Sequence, residues 1–127
     1  MNIQIETKGT TAIYEQIMLQ IKSKIVEGKL KVNEQLPSIR ALAAQLQISV
    51  ITTKKAYEEL EKEGLIHSVA GRGFFVSECN QDYLKEKQMM MIEKKMSEAV
   101  LACKHAHISK EEMLQMAVAL YEMEDGL

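Results

Sequence analysis

Between residues 36 and 76, helix starts and stops are spaced so closely that few folds can accommodate them. Pro37, the only proline in the chain, pushes Leu36 out of helical geometry and closes a connector over residues 29–36. Ser38 can then cap a helix over about 38–46, with Ile39, Leu42, Ala43 and Leu46 inward. Gln47-Ile48 leaves room only for a short turn. Ser49 caps a further helix, about 50–63, that buries Ala56, Tyr57 and Leu60 and stops at Gly64. Ile66-His67-Ser68-Val69 and Phe74-Phe75-Val76 are short β-prone runs around Ala70-Gly71-Arg72-Gly73, whose glycines permit the positive φ of a hairpin turn. Two helices across so short a turn, followed at once by a hairpin, make a winged helix-turn-helix.

The flanks complete a mainly α fold with one small β-hairpin. Ile3 and Ile5 alternate with polar neighbours, which suits an extended arm or edge strand. Thr10-Thr11 offers an N-cap for a first helix over about 12–27, in which Ile13, Ile17, Ile21 and Ile25 recur every four residues until Gly28. Beyond residue 78 the composition shifts, which divides the chain into a winged helix-turn-helix domain, 1–78, and a helical tail, 79–127. Asn80 caps a long helix, about 81–106, and Ser109-Lys-Glu-Glu112 is a capping box that starts another. Two helices are too few to enclose a core of their own, yet each carries an apolar face. Leu84, Met91, Ile92, Met96, Val100, Met113, Met116 and Leu120 are therefore expected to pack against a second copy, making a homodimer.

Charge does not announce a nucleic-acid partner. The net charge is −2; residues 1–78 carry ten basic and nine acidic residues, and residues 79–127 six and nine. DNA binding has to rest on local clusters such as Lys54-Lys55 and Arg72. No run of about eighteen apolar residues occurs, so no membrane span is expected, and Met1-Asn-Ile-Gln-Ile-Glu6 has no signal-peptide pattern. Cys79 and Cys103 form no disulfide framework, for which a reducing cytoplasm is the default. Paired carboxylates, a nucleophile with its base and a phosphate-cradling glycine loop are all missing, which argues against an enzyme, and no cofactor is implied.

Ile13-Tyr14-Glu15-Gln16-Ile17, Leu36-Pro37-Ser38-Ile39-Arg40, Leu42-Ala43, Ala56-Tyr57-Glu58-Glu59-Leu60-Glu61, Glu63-Gly64-Leu65-Ile66 and Gly71-Arg72-Gly73-Phe74-Phe75-Val76 are six blocks in register over some sixty-five residues. In that order and spacing, residues about 12–78 resemble the winged-helix domain of the GntR family of bacterial transcription regulators. The two-helix tail looks like that of the YtrA subfamily, whose tails mainly dimerise. The resemblance implies a homodimeric regulator, a repressor in sign, that binds an inverted repeat in double-stranded DNA. In that subfamily the genes controlled are commonly the regulator's own operon and a neighbouring ABC transporter. The competing reading is a winged helix that docks on protein rather than DNA.

A recognition helix enters the major groove by its first turns. Ser49 and Thr52 are short donors suited to phosphate, Thr53 faces either groove or core, and Lys54 reaches phosphate or a base edge, while Lys55 is a solvated flank. The family motif puts a DNA-contacting arginine at Arg40, just after the capping Ser38, and the wing places Arg72 between Gly71 and Gly73 for the minor groove. One departure stands out. Where the family often has arginine, or in this subfamily an Asn-Pro-like pair, this chain has Ser49-Val50-Ile51, which points to thymine methyls or to shape readout.

Two features of the tail admit a second reading. Cys103 and His107 share a helix face, with His105 nearby, as a zinc or copper site would need; without a complete ligand set, an apolar stripe ending in two histidines is the simpler account. The methionines Met89-Met90-Met91, Met96, Met113, Met116 and Met123 either pack across a dimer interface or line an effector pocket. The interface is preferred, because so short a tail cannot enclose a cavity of about 300 Å³ or more.

Overall fold

A computed structural model describes residues 1–123. The described residues form five helices, α1 (Ile13–Val26), α2 (Ile39–Leu46), α3 (Val50–Lys62), α4 (Gln81–His105) and α5 (Lys110–Met123), and a hairpin of β1 (Ile66–Val69) and β2 (Gly73–Val76) between α3 and α4 in the chain. The chain divides into two compact units, Met1–Leu84 and Lys85–Leu127. The first holds the core. Ile17, Ile21 and Ile25 of α1 meet Leu42 of α2, Ala56, Tyr57 and Leu60 of α3, and Leu65, Ile66 and Val76 of the hairpin.

The serine caps form as their positions require. Ser38 Oγ accepts from the Ala41 N–H at 3.0 Å, and Ser49 Oγ from the Thr52 N–H at 3.0 Å. The threonines before α1 do not cap it. Ala12 holds that position with no side-chain hydrogen bond, and the arm is tied to the helix by glutamines instead. Gln16 exchanges two bonds with the backbone of Glu6, both 2.7 Å, and Gln20 two with that of Gln4, at 2.9 and 2.6 Å. Two residues of extended chain advance about 6.6 Å and four of helix about 6.0 Å, so the amides meet alternate arm residues as a neighbouring strand would. Ile3 is buried as a result.

The connector is not a plain loop. The Asn33 N–H donates to Val76 O, the Val76 N–H to Glu34 O, and the Leu36 N–H to Phe74 O, all between 2.8 and 2.9 Å. Residues 33–36 thus add a short third segment along β2, and Gln35 bridges to Phe75. Tyr57 locks these parts together. Its hydroxyl donates to Pro37 O at 2.7 Å, and its ring meets Phe74 edge-on at 5.0 Å and 77°.

At the tail, Asn80 Oδ1 accepts from the Tyr83 N–H, and the Ser109–Glu112 box closes in both directions at 3.1 and 3.2 Å. Leu84, expected at a dimer interface, packs half-buried on the core of the first unit, and Gln81 reaches Ile25 O at 3.2 Å. The first turn of α4 therefore belongs to the winged unit, later than the compositional break at residue 78. The turn after α4 takes His107 off the helix that carries Cys103. His107 takes the left-handed conformation (φ 58°) that stops the helix, with its N–H on Lys104 O and that of Ile108 on Cys103 O. Among the described residues no three His, Cys, Asp or Glu side chains converge as a metal set would, and no helix is long and apolar enough to cross a membrane.

Candidate nucleic-acid interface

The site grows from the starts of α2 and α3. A helix start leaves its first N–H groups without intrahelical partners. Those of Ile39 and Arg40 in α2, and of Val50 and Ile51 in α3, have none among the described residues. Ser38 and Ser49 are exposed beside them. Such ends favour anions through both free donors and the helix dipole. Ser49 and Thr52 share a 2.7 Å hydroxyl–hydroxyl bond, which uses one of their two O–H donors and leaves the other for a phosphate oxygen.

Thr53 is removed from the contact set. It is 0% exposed, and its Oγ1 donates to Ser49 O at 3.1 Å inside the domain. Lys54 is exposed and only 3.9 Å from Glu58, an i,i+4 pair on the solvent face that holds it weakly. Lys55 lies with its ammonium 4.1 Å from the centre of the Tyr14 ring, a contact with α1 that spacing on α3 alone does not reveal. Arg40 and Arg72 are both exposed, and neither guanidinium has an ion pair or hydrogen bond among the described residues. Two permanently charged forks standing free suit phosphate or a base edge.

The wing is held by side chains on both of its strands. At its tip the Arg72 N–H donates to Val69 O at 2.9 Å, with Gly71 at φ 74° in the third position of the turn. Gln35 Nε2 donates to Arg72 O at 2.7 Å, tying the tip to the segment that leads into Ser38. Gly73 sits at φ 110°, a conformation that disfavours a side chain, and a Cβ there would stand 3.1 Å from Gln35 Nε2, close enough that the amide would have to shift by a few tenths of an ångström. Along β1, Glu61 of α3 accepts from both the N–H and the hydroxyl of Ser68, the residue paired with Phe74, at 3.0 Å. Gln35, Tyr57 and Glu61 position the interface, Tyr57 from inside the core and the other two from the surface. Gln35 carries no sequence signal of this role, and Glu61 is marked only by its place in the Ala56–Glu61 block.

Comparison with known proteins agrees with this geometry. The family described as "Bacterial regulatory proteins, gntR family" matches residues 13–76. The chain is 37% identical to the HTH-type transcriptional repressor YtrA of Bacillus subtilis (strain 168), across 87% of this chain and 85% of that protein. The crystal structure of a transcriptional antiterminator from Listeria monocytogenes EGD-e superposes with a TM-score of 0.71 at 30% identity, over 95% of this chain and 90% of that one. The AraR DNA-binding domain, solved in complex with operator ORE1, superposes with a TM-score of 0.51 at 30% identity. That match covers 61% of this chain and 94% of the AraR chain.

Proposed function

The chain belongs to the gntR family of bacterial regulatory proteins, with YtrA among its relatives, and from that premise we propose that it is a homodimeric repressor of an inverted-repeat operator. It is a DNA-binding transcription regulator and not an enzyme. The observation that carries the proposed mode of binding is the pair of free guanidinium groups, Arg40 beside the α2 start and Arg72 at the wing tip. In this reading α3 enters the major groove by its first turns, with Ser49, Thr52 and Lys54 on phosphate or base edges. Arg40 and the α2 start, capped by Ser38, hold the flanking backbone, and Arg72, between Gly71 and Gly73, enters the minor groove.

The second copy is supported by the tail. Helices α4 and α5 bury no residue, yet Met91, Ile92, Met96, Met116 and Leu120 stand exposed along them, while Val100 and Met113 are half-buried. Apolar area of that extent marks an interaction site. Glu93, Met96, Ser97, Val100, Leu101 and Lys104 line an open concavity of about 570 Å³ that suits a packing partner. Two copies joined there would present their α3 helices to successive major grooves about 34 Å apart. Control of its own operon and of a neighbouring ABC transporter gene follows from the subfamily resemblance.

Selection from a random duplex pool tests this reading. Enrichment of a twofold-symmetric motif is expected, with the protein sedimenting as a dimer. Three cations per copy, Arg40, Lys54 and Arg72, predict a log affinity against log salt slope of roughly −5 for the dimer. No enrichment and no salt dependence would transfer the winged helix to protein docking.

A further inference from the structure

Ile51 is out of place by every structural criterion available on α3. The buried residues Thr53, Ala56, Tyr57 and Leu60 define its inner face. At 100° per residue the outer face is then Ile51, Lys55, Glu58 and Lys62. Ile51 is 80% exposed, the highest value of any large apolar side chain in the first unit, and its neighbour Val50 is 46% exposed. Neither contributes to the core, and β-branched residues are not strong helix formers, so folding gives no reason for the pair. Both sit in the first turn of the recognition helix, ringed by the hydroxyls of Ser49 and Thr52 and by Lys54.

The patch is far too small for a protein interface of about 800 Å² per partner. In the major groove, however, the edges of the bases are polar except at one place, the C5 methyl of thymine. We propose that Ile51 and Val50 determine operator specificity by packing against thymine methyl groups. Each half-site then requires thymine, and not merely a pyrimidine, at the one or two positions met by the first turn of α3. This proposal rests on the DNA-reading function above. It replaces the arginine–guanine contact common in the family with an apolar one.

The test uses the full-length protein and the duplex recovered by selection, with each thymine replaced singly by deoxyuridine. That exchange deletes the methyl and keeps the base pair. Loss of one buried methyl contact corresponds to an affinity drop of roughly fourfold. The wild type should show it at one or two thymines per half-site. An Ile51→Ala or Val50→Ala protein should bind the unmodified duplex more weakly and be indifferent to deoxyuridine at the matching position. If every deoxyuridine duplex binds the wild type as the parent does, the specificity proposal is overturned while the DNA-reading function stands. Equal sensitivity in the wild type and both variants also overturns it. Failure to select any DNA overturns both.

Discussion

Deleting a single oxygen from Tyr57 isolates the strongest internal constraint on the interface. The side chain is 0% exposed, its hydroxyl donates to Pro37 O at 2.7 Å, and its ring contacts Phe74. Tyr57→Phe keeps the ring, leaves no cavity larger than a hydroxyl, and strips Pro37 O of its only hydrogen-bond partner among the described residues. An acceptor left unpaired at this half-buried position costs about 1–2 kcal/mol, toward the lower part of the range for buried groups. For a cooperative unit of this size, the upper value of about 2 kcal/mol lowers Tm by roughly 8–16 °C. Thermal and urea unfolding at pH 7 read the loss, with the midpoint falling and the slope m unchanged. Burial also raises the Tyr57 hydroxyl above its ordinary pKa of 10.0. Above pH 10 the unfolded chain therefore releases this proton while the folded chain keeps it, so the folded state binds more protons and stability falls with pH. The fall is at most about 1.4 kcal/mol per pH unit from this group. Tyr57→Phe lacks it, so the gap between wild type and variant should narrow as pH rises past 10. A Tm change under about 2 °C at pH 7, or a gap that widens above pH 10, would refute the role assigned to the hydroxyl.

Three further outcomes are expected. Arg40→Ala and Arg72→Ala should each weaken operator binding by about 1–3 kcal/mol if the side chain reads a base; titration of a variant shown to be folded by circular dichroism checks this. Gly73→Ala should cost more than about 1 kcal/mol, because φ 110° disfavours any side chain and the new Cβ would displace Gln35; urea unfolding reads the loss, and Gly71→Ala, with open space around it, isolates the contribution of backbone conformation alone. Gln47 closes α2 in the left-handed region at φ 56° without being glycine. Relief of about 1–2 kcal/mol of strain, offset by about 0.5–1 kcal/mol of added chain entropy, predicts that Gln47→Gly raises stability by up to about 1.5 kcal/mol, visible as a higher Tm.

What the sequence revealed and what it hid divide along a physical line. Caps and stops are local chemistry, so Ser38, Ser49, Asn80 and the Ser109–Glu112 box are legible from residue type and spacing and appear in the structure as hydrogen bonds. Contacts made by long polar side chains are not local. Gln16 and Gln20 imitate a strand for the arm, Gln35 holds the wing tip, and Glu61 holds β1 of the wing, each across a sequence separation that no periodicity encodes. The 33–36 segment escaped for a related reason: it pairs with β2 through its main chain, which any side chains permit. The contact of Leu84 with the winged unit was hidden because α4 runs unbroken past it, so nothing local separates the turn that packs on the core from the turns that do not. Thr53 was ambiguous for the converse reason, since threonine can serve either face, and only its bond to Ser49 O decides.

The near-neutral charge of the winged unit then acquires a mechanistic meaning. Ten basic residues against nine acidic ones in residues 1–78 give little long-range attraction, and several of the basic ones are engaged within the fold: Lys22 with Glu63, Lys62 with Glu59, Lys55 over Tyr14. Nonspecific affinity, which depends on how many phosphates are neutralised, must be low for one copy. In the proposed dimer the second copy binds as an effectively intramolecular event, and the contacts of both copies sum while association is opposed only once. A protein built this way loses far more affinity from disruption of its tail than from removal of any one side chain at the groove. A double substitution that places charge on the α4 face, Ile92→Lys with Met96→Lys, should accordingly leave the winged unit folded, abolish the dimer in sedimentation, and reduce operator affinity by more than Arg40→Ala does. If the resulting monomer bound the operator as well as the wild type, dimerisation would have no part in recognition, and Arg40, Arg72 and the first turn of α3 would have to account for it alone.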